Sequence, residues 1–377
     1  MKIGIFGGSF NPVHMGHINL INEAKNNYEL DKIIVVPTLI SPFKQKQKVI
    51  SYIDRINMLK LVLPSFCEIS DFEVKKDFFN VSYTIETIKH FKKIYPNDEL
   101  FLLLGNDNIR DFYKWKEAKF IIQNLSKIIF FTRNNQIEKE TLSKFNKYFK
   151  NYKEKIIFHN SNTILDVSST EIREGNKFEL LDQEVRKYIG NNFLYADSII
   201  KSYLSADRAK HCFFAAEFAA KLAKTINYDA KIAYYAGLFH DIAKEFGEEK
   251  SREFISSFNM DGNDLSLFPK HKLHQICGAL WLENVYKCNN QEIIHAIKVH
   301  TTLDFELSTL DKIVFIADKI CQGRNYEGIQ KIRNLALKDF NKGFATVVKM
   351  NYDHQILKGK QLDSEQILIN EKWIKIK

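Results

Sequence analysis

Two histidines three residues apart stand near the start of the chain. They are His14 and His17 in "IGIFGGSFNPVHMGHINLI", residues 3–21, behind an apolar run and two adjacent glycines. Three positions is about one helical turn, so both imidazoles can address the same ligand. Gly7 and Gly8 carry no Cβ, which permits positive φ and a close approach of the backbone to a ligand. A helix that starts after them offers unpaired N–H groups and the positive end of its dipole, and hence an anion site. A distant stretch, "VSSTEIREG" at 167–175, supplies a second helix start. Ser168 and Glu171 have capping-box spacing, and Ser169 and Thr170 offer hydroxyls. Arg173 lies one turn on, where a guanidinium reaches a phosphate bidentately. Each stretch read alone is also a plain turn or a plain helix start. Read together they describe the two sides of a polyphosphate cradle.

A second set of chemical residues occupies the other half: His211, the pair His240–Asp241, His274, His300 and Asp318. A single histidine on an apolar helix face is ordinarily a core residue, and a His-Asp dipeptide is common by chance. The ensemble points elsewhere. Imidazoles and carboxylates on separate helices converge in a bundle interior to hold metal. Mixed nitrogen and oxygen ligands suit iron, manganese or zinc better than calcium.

The elements that must position these groups differ between the halves. The first half alternates apolar strand-like runs ("KIGIF", "KIIVVPT", "CEISDFEV", "ELFLLLG", "KIIFFTR", "KIIFHN") with amphipathic helical segments. That alternation predicts right-handed βαβ units and a parallel sheet, with ligands beyond the carboxyl ends of the strands. After about residue 160 the strand signal stops, and "ADRAKHCFFAAEFAAKLAKTI", "DAKIAYYAGLFHDIAKEF" and "TLDKIVFIADKI" carry helical periodicity. The expected boundary falls near Tyr195–Asp197, giving domains of residues 1–195 and 196–377. No Gly/Ser linker marks it, which favours adjacent packing over a long tether.

Composition narrows the class. With 377 residues the chain suits two or three domains, and 45% apolar content is that of globular material. The formal charge of +9 is spread over scattered lysines without a basic arm, so no nucleic-acid partner is expected. The five cysteines show no CxxC pairing, and no secretory signal precedes them, which predicts reduced thiols and a cytoplasmic protein. No apolar stretch approaches the roughly 18 residues of a membrane span.

With "HMGH" and "SSTEIR" in this order and in these strand–helix contexts, the first half resembles the nucleotidyltransferase superfamily. The form "GGSFNPVHMGH", followed by "PTLISPFK", "SYIDRINML", "VSYTIETI", "LLGNDNIRDFYKWK" and "VRKYIGNNFLY", is similar to bacterial nicotinate-nucleotide adenylyltransferases over about residues 1–195. The resemblance implies a Rossmann-like α/β domain that takes ATP, nicotinate mononucleotide and Mg²⁺, and forms nicotinate adenine dinucleotide and pyrophosphate. His14, His17, Lys44 and Arg173 would be catalytic. Gly7, Gly8, Ser9, Phe10, Ser169 and Thr170 would bind nucleotide, with Thr84, Asp107 and Trp115 on the acceptor side. Family members often carry His before the lysine, and here Phe43 precedes Lys44. Nicotinamide mononucleotide or phosphopantetheine as acceptor is the alternative.

The order H…HD…H…H…D resembles the HD-domain phosphohydrolases. "RAKHCFFAAEFAAKLA", "AGLFHDIAKE", "LHQICGALWL", "AIKVHTT" and "IVFIADKICQGRNYEGI" are similar to the bacterial HD-type family that cleaves diadenosine tetraphosphate symmetrically, over about residues 197–360. The resemblance implies an all-α HD domain with iron or manganese. His211, His240, Asp241 and Asp318 would hold one ion, and His274 and His300 would complete a second position with Asp241 bridging. His271 is a rival for His274, which the family spacing favours. Lys244 and Arg324 would bind substrate phosphates. Where the family commonly has Glu-Pro, this chain has Cys321 and Gln322. An inactive nucleotide-sensing second domain is the alternative, and a homo-oligomer is compatible with either reading.

Overall fold

The computed structural model describes residues 1–39, 49–75, 83–133, 139–161, 163, 165–258 and 268–375. It divides into two compact units, Met1–Arg173 with Glu179–Val185, and Glu174–Phe178 with Arg186–Lys377.

The first unit is built on β1 (Lys2–Gly8), β2 (Lys32–Pro37), β3 (Cys67–Ile69), β4 (Glu99–Gly105), β5 (Lys127–Arg133) and β6 (Ile156–Ser161). They pair in parallel in the order β3-β2-β1-β4-β5-β6. The central strands are continuous apolar runs because both faces of the sheet are covered: Ile3, Ile5, Leu102, Leu103, Ile128 and Phe130 are all buried. The strand order reverses between β1 and β4. The crevice outside their carboxyl ends is therefore the place where this architecture binds ligands.

This is the parallel Rossmann-like sheet expected, with one local difference. "CEISDFEV" reads as one strand, but only Cys67–Ile69 pairs with β2, and Phe72–Lys75 makes a helical turn. Ser70 Oγ accepts from the Phe72 N–H at 3.2 Å and the Asp71 carbonyl from the Val74 N–H at 3.0 Å. Such short-range bonds compete with the ladder and end it.

The second unit is helical, and among the described residues no strand follows β6. The helix Ala206–Thr225 buries a row of small residues, including Ala209, Ala215, Ala216 and Ala219. Against it lies Ala230–Phe239, where a Cβ on Gly237 would meet the Ala216 Cα at 2.9 Å. Small residues on both sides let the two backbones approach, and the approach carries His240 towards His211. Helices Lys270–Leu280, Gln291–Val299 and Thr309–Ile320 complete the surround, the last started by a capping box between Ser308 and Asp311. The end of the helix Gln183–Asn191 also packs here: Arg186 donates to the Asn284 and Val285 carbonyls at 3.0 Å. No described helix is long and apolar enough to cross a membrane.

Candidate functional sites

The first site forms at the carboxyl end of β1. His14 is the N-cap of the helix Met15–Tyr28, and its backbone N–H donates to His17 Nδ1 at 3.2 Å. The two rings lie 3.7 Å apart, centroid to centroid, at 33°. Because His17 Nδ1 accepts, the neutral ring carries its proton on Nε2, a donor for a ligand. Phe10 packs edge-on against His17 at 5.1 Å.

The 167–175 stretch meets this loop directly. Arg173 donates from Nη1 to the Asn11 carbonyl at 2.7 Å and from Nη2 to Thr170 Oγ1 at 2.9 Å. Ser169 Oγ donates to the Pro12 carbonyl at 2.9 Å. Ser168 and Glu171 form the capping box: the Glu171 N–H donates to Ser168 Oγ at 3.2 Å, and the Ser168 N–H to Glu171 Oε2 at 2.8 Å. Where the two motifs cross stands Gly16, whose Cβ would lie 3.0 Å from His14 Nδ1 and 3.1 Å from Val167 Cγ1.

The glycines depart from the expectation in one respect, the sign of φ. Gly7 and Gly8 end β1, and neither has positive φ; the left-handed residue of this loop is Phe10, at φ 45°. A Cβ on Gly8 would sit 2.9 Å from Phe10 Cζ, so Gly8 makes room for the folded-back ring. Gly7 is exposed, and a Cβ there would come no nearer than 4.0 Å to the Val36 carbonyl, which leaves the strand end open to a ligand.

Ser9 contributes its carbonyl to Arg55, a residue that sequence reasoning missed. Arg55 is 1% exposed and donates from Nη1 to the Ser9 and Thr38 carbonyls, both at 2.7 Å. It braces the loop from below. Its signal was a guanidinium three and four positions before buried Met58 and Leu59, on an apolar helix stripe.

Asp107 follows the end of β4, in the 3-10 turn Asn106–Asn108, and its Oδ1 accepts from Asn108 Nδ2 at 2.9 Å. Since β4 pairs with β1, Asp107 flanks the same crevice. The contacts above do not extend to Thr84, which opens the helix Thr84–Ile94, or to Trp115, half-buried with its ring 5.0 Å from Phe112. Lys44 lies outside the described residues.

The second site gathers all six expected ligands. His211 Nε2 lies 3.1 Å from Asp318 Oδ1, and His240 Nε2 lies 3.6 Å from Asp241 Oδ2 and 3.7 Å from Asp318 Oδ1. Asp241 Oδ1 faces His300 Nε2 at 3.4 Å and His274 Nε2 at 3.6 Å. Two triads, His211/His240/Asp318 and His240/Asp241/His300, keep their ligand atoms within 4.8 Å of one another. His240 belongs to both, and Asp241, the expected bridging residue, faces His240, His274 and His300. His271, the rival of His274, is exposed.

The donor set fits a divalent cation. His240 Nε2 is fully buried without a hydrogen-bond partner, aimed between two carboxylates. Burial alone would raise the carboxyls of Asp241 and Asp318. His240 and His300 together around the first, and Lys319, His211 and His240 together around the second, overcome it and hold both well below the usual carboxylate range. Burial, with His300 and Lys244 adding to it, pushes His274 down to about 2, so its ring is neutral and able to ligate. Four cations stand on the same carboxylates. Arg208 reaches Asp241 Oδ2 at 3.0 Å and Lys244 reaches Asp241 Oδ1 at 3.7 Å. Lys319 reaches Asp318 Oδ2 at 2.5 Å and Arg324 reaches Asp318 Oδ1 at 3.0 Å. Sequence reasoning named Lys244 and Arg324, and missed Arg208, three residues before His211, and Lys319, next to Asp318.

Known proteins divide the chain in the same way. Residues 5–175 match the cytidylyltransferase-like family and residues 208–322 match the HD domain. Fold and sites thus define a nucleotidyltransferase-type α/β domain followed by a helical HD domain, the latter a divalent-metal class. A Mycoplasma genitalium protein named "Probable nicotinate-nucleotide adenylyltransferase/Ap4A hydrolase" is 30% identical over 95% of this chain and 99% of its own. The chain belongs to this adenylyltransferase/Ap4A hydrolase family. An Aquifex aeolicus "Probable nicotinate-nucleotide adenylyltransferase" is 40% identical over 44% of this chain and 98% of its own. A crystal structure of a "predicted HD superfamily hydrolase involved in NAD metabolism" from Clostridium acetobutylicum is 28% identical, with a TM-score of 0.44 over 48% of this chain and 96% of that one.

Proposed function

We propose that this chain is a bifunctional cytoplasmic enzyme. Residues 1–195 transfer the adenylyl group of ATP to nicotinate mononucleotide, releasing pyrophosphate. Residues 196–377 hydrolyse diadenosine tetraphosphate to two ADP. One observation carries the reading: in each unit, residues distant in sequence meet at a single centre suited to polyphosphate. Arg173 meets Asn11 in one and His211 meets Asp318 in the other.

In the first reaction the phosphate monoester of the acceptor attacks the α-phosphorus of ATP, and the bond to the β-phosphate oxygen breaks. The nucleophile is largely dianionic near neutral pH, since its second pKa is about 6. A general base is therefore unnecessary, and the obstacle is repulsion between anions. Catalysis is positioning and neutralisation. His14 and His17 donate to the triphosphate, Arg173 and Lys44 offset its charge, and the open strand end at Gly7 admits it. Ser9, Phe10, Ser169 and Thr170 shape the cradle, while Thr84, Asp107 and Trp115 serve the acceptor. Mg²⁺ held by the triphosphate supplies further neutralisation.

In the second reaction His211, His240, Asp241, His274, His300 and Asp318 would hold one or two divalent ions; the mixed donor set suits iron, manganese or zinc, and the resemblance to HD phosphohydrolases favours iron or manganese. Bound ions supply Lewis acidity towards a phosphoryl oxygen and lower the pKa of a coordinated water. With ions on those carboxylates, Arg208, Lys244, Lys319 and Arg324 would be available to bind the phosphate chain.

The test is ³¹P NMR of the purified full chain. ATP with nicotinate mononucleotide should give pyrophosphate and the dinucleotide. Diadenosine tetraphosphate with Mn²⁺ or Fe²⁺ should give ADP alone. Pyrophosphate release only with nicotinamide mononucleotide would change the acceptor. An unchanged tetraphosphate spectrum in a metal-loaded protein would make the second domain a sensor.

A further inference from the structure

The histidines of the helical unit differ in what holds their Nδ1 atoms. His240 Nδ1 donates to the Gly237 carbonyl and His300 Nδ1 to the Ile297 carbonyl, both at 2.7 Å. A carbonyl only accepts, so it keeps the proton on Nδ1 and leaves Nε2 as a lone pair. His211 has another kind of partner. Its Nδ1 lies 3.5 Å from the Sγ of fully buried Cys321, while its Nε2 faces Asp318 Oδ1 at 3.1 Å. A thiol both donates and accepts, weakly in each direction.

The sulfur is held in place through the backbone. Buried Arg333 donates to the carbonyls of Ile320 at 2.7 Å, Cys321 at 2.7 Å and Arg324 at 2.8 Å. This guanidinium fixes the turn that follows Thr309–Ile320. The same turn sends Arg324 to the Asp318 carboxylate at 3.0 Å. Beside it, the unpartnered and fully buried His240 Nε2 points into the cluster that His211 shares.

We propose that Cys321 is a positioning residue that lets His211 exchange tautomers. With Nε2–H donated to Asp318, the thiol donates S–H to Nδ1. With Nε2 given to a cation, the ring proton sits on Nδ1 and the sulfur accepts it. The ring holds one proton in both states and the thiol keeps its own. His240 and His300 are preset by their carbonyls, and His211 is the ligand that adjusts. An apolar residue at 321 leaves the Nδ1 proton of the ligating tautomer buried and unpaired. The inference rests on reading the cluster as a divalent-metal centre.

The experiment titrates Co²⁺ into the metal-free full chain and follows its visible absorption. Wild type should bind with a defined spectrum. Cys321→Ala, which removes the sulfur without adding bulk, should weaken Co²⁺ binding by about tenfold or more and alter the spectrum, as loss of an outer-shell partner does. Cys321→Ser, close to alanine in size but with a hydroxyl that donates and accepts, should restore both. Cys277→Ala, a buried cysteine whose Sγ faces the Ser251 carbonyl, should change neither. Equal affinity and spectrum in Cys321→Ala and wild type would overturn the proposal, as would a Cys321→Ser protein as weak as Cys321→Ala. Absence of Co²⁺ binding by wild type would instead overturn the metal centre itself.

Discussion

Arg173 and Asn11, 162 residues apart in sequence, are joined by a 2.7 Å hydrogen bond from the guanidinium to the backbone carbonyl. The bond aims Arg173 along the loop that carries the histidine pair, and a second one to Thr170 fixes the plane of the fork. Lysine has no such fork. Arg173→Lys should therefore retain the fold and lose adenylyl transfer by about 10²-fold, mainly in kcat. Steady-state kinetics with ATP varied will check this, and activity within a few-fold of wild type would remove Arg173 from the site.

Arg55 brings a charge under the same loop and spends it on two carbonyls. Arg55→Met preserves the stem and strands both acceptors in a buried place. A loss of about 2 to 4 kcal/mol in unfolding free energy is expected. Denaturant unfolding of the full chain measures it, and a change below about 0.5 kcal/mol would mean that water satisfies the carbonyls.

Gly16 tests the crossing of the two motifs. Gly16→Ala places a methyl 3.0 Å from His14 Nδ1 and 3.1 Å from Val167 Cγ1, so the imidazole or the 167–175 stretch must shift. Alanine favours the helix by up to about 1 kcal/mol. Stability should thus hold while adenylyl transfer falls by about tenfold or more. Thermal melting and kcat on one preparation separate the two effects.

How much of this was legible in the sequence depends on the range of the forces involved. The strands and helices show in local periodicity, and so do the six histidines and aspartates, because each sits at a helix end or on a helix face that its neighbours define. The positive φ expected at Gly7 and Gly8 does not occur, while the open backbone expected there is found at Gly7. The need for Gly8 comes from the ring of Phe10, and the chain carries no local sign of how that ring folds back. Arg55, Arg208 and Lys319 were passed over since an isolated cation reads as solvated surface. Only the fold reveals that their partners are buried carbonyls and carboxylates. Cys321 was seen as a departure from a family pattern, and its contact with His211 needs the turn that Arg333 holds.

Acidity should act on the metal centre with a defined sign. Burial opposes charge on His211, but the hydrogen bond it donates to Asp318, the contact with Cys321 and the Asp318 charge together outweigh it and raise the imidazole above its ordinary value of 6.5. In the metal-free protein those interactions stabilise the fold fully below pH 6.5, and that stabilisation is lost as the pH rises through the raised folded value. Ligation needs the neutral ring, so metal binding has the opposite trend. Mn²⁺ affinity should rise between about pH 6 and about pH 8. A flat profile would detach His211 from the ion.

The most direct measurement sets two variants side by side in ³¹P NMR with both substrates present. His17→Ala should stop pyrophosphate release from ATP and nicotinate mononucleotide while ADP still forms from diadenosine tetraphosphate. Asp241→Ala, which removes the carboxylate facing His240, His274 and His300, should lose bound metal and ADP formation while pyrophosphate release continues. Normal dinucleotide synthesis by a folded His17→Ala protein, or full metal content and ADP formation in Asp241→Ala, would contradict the account.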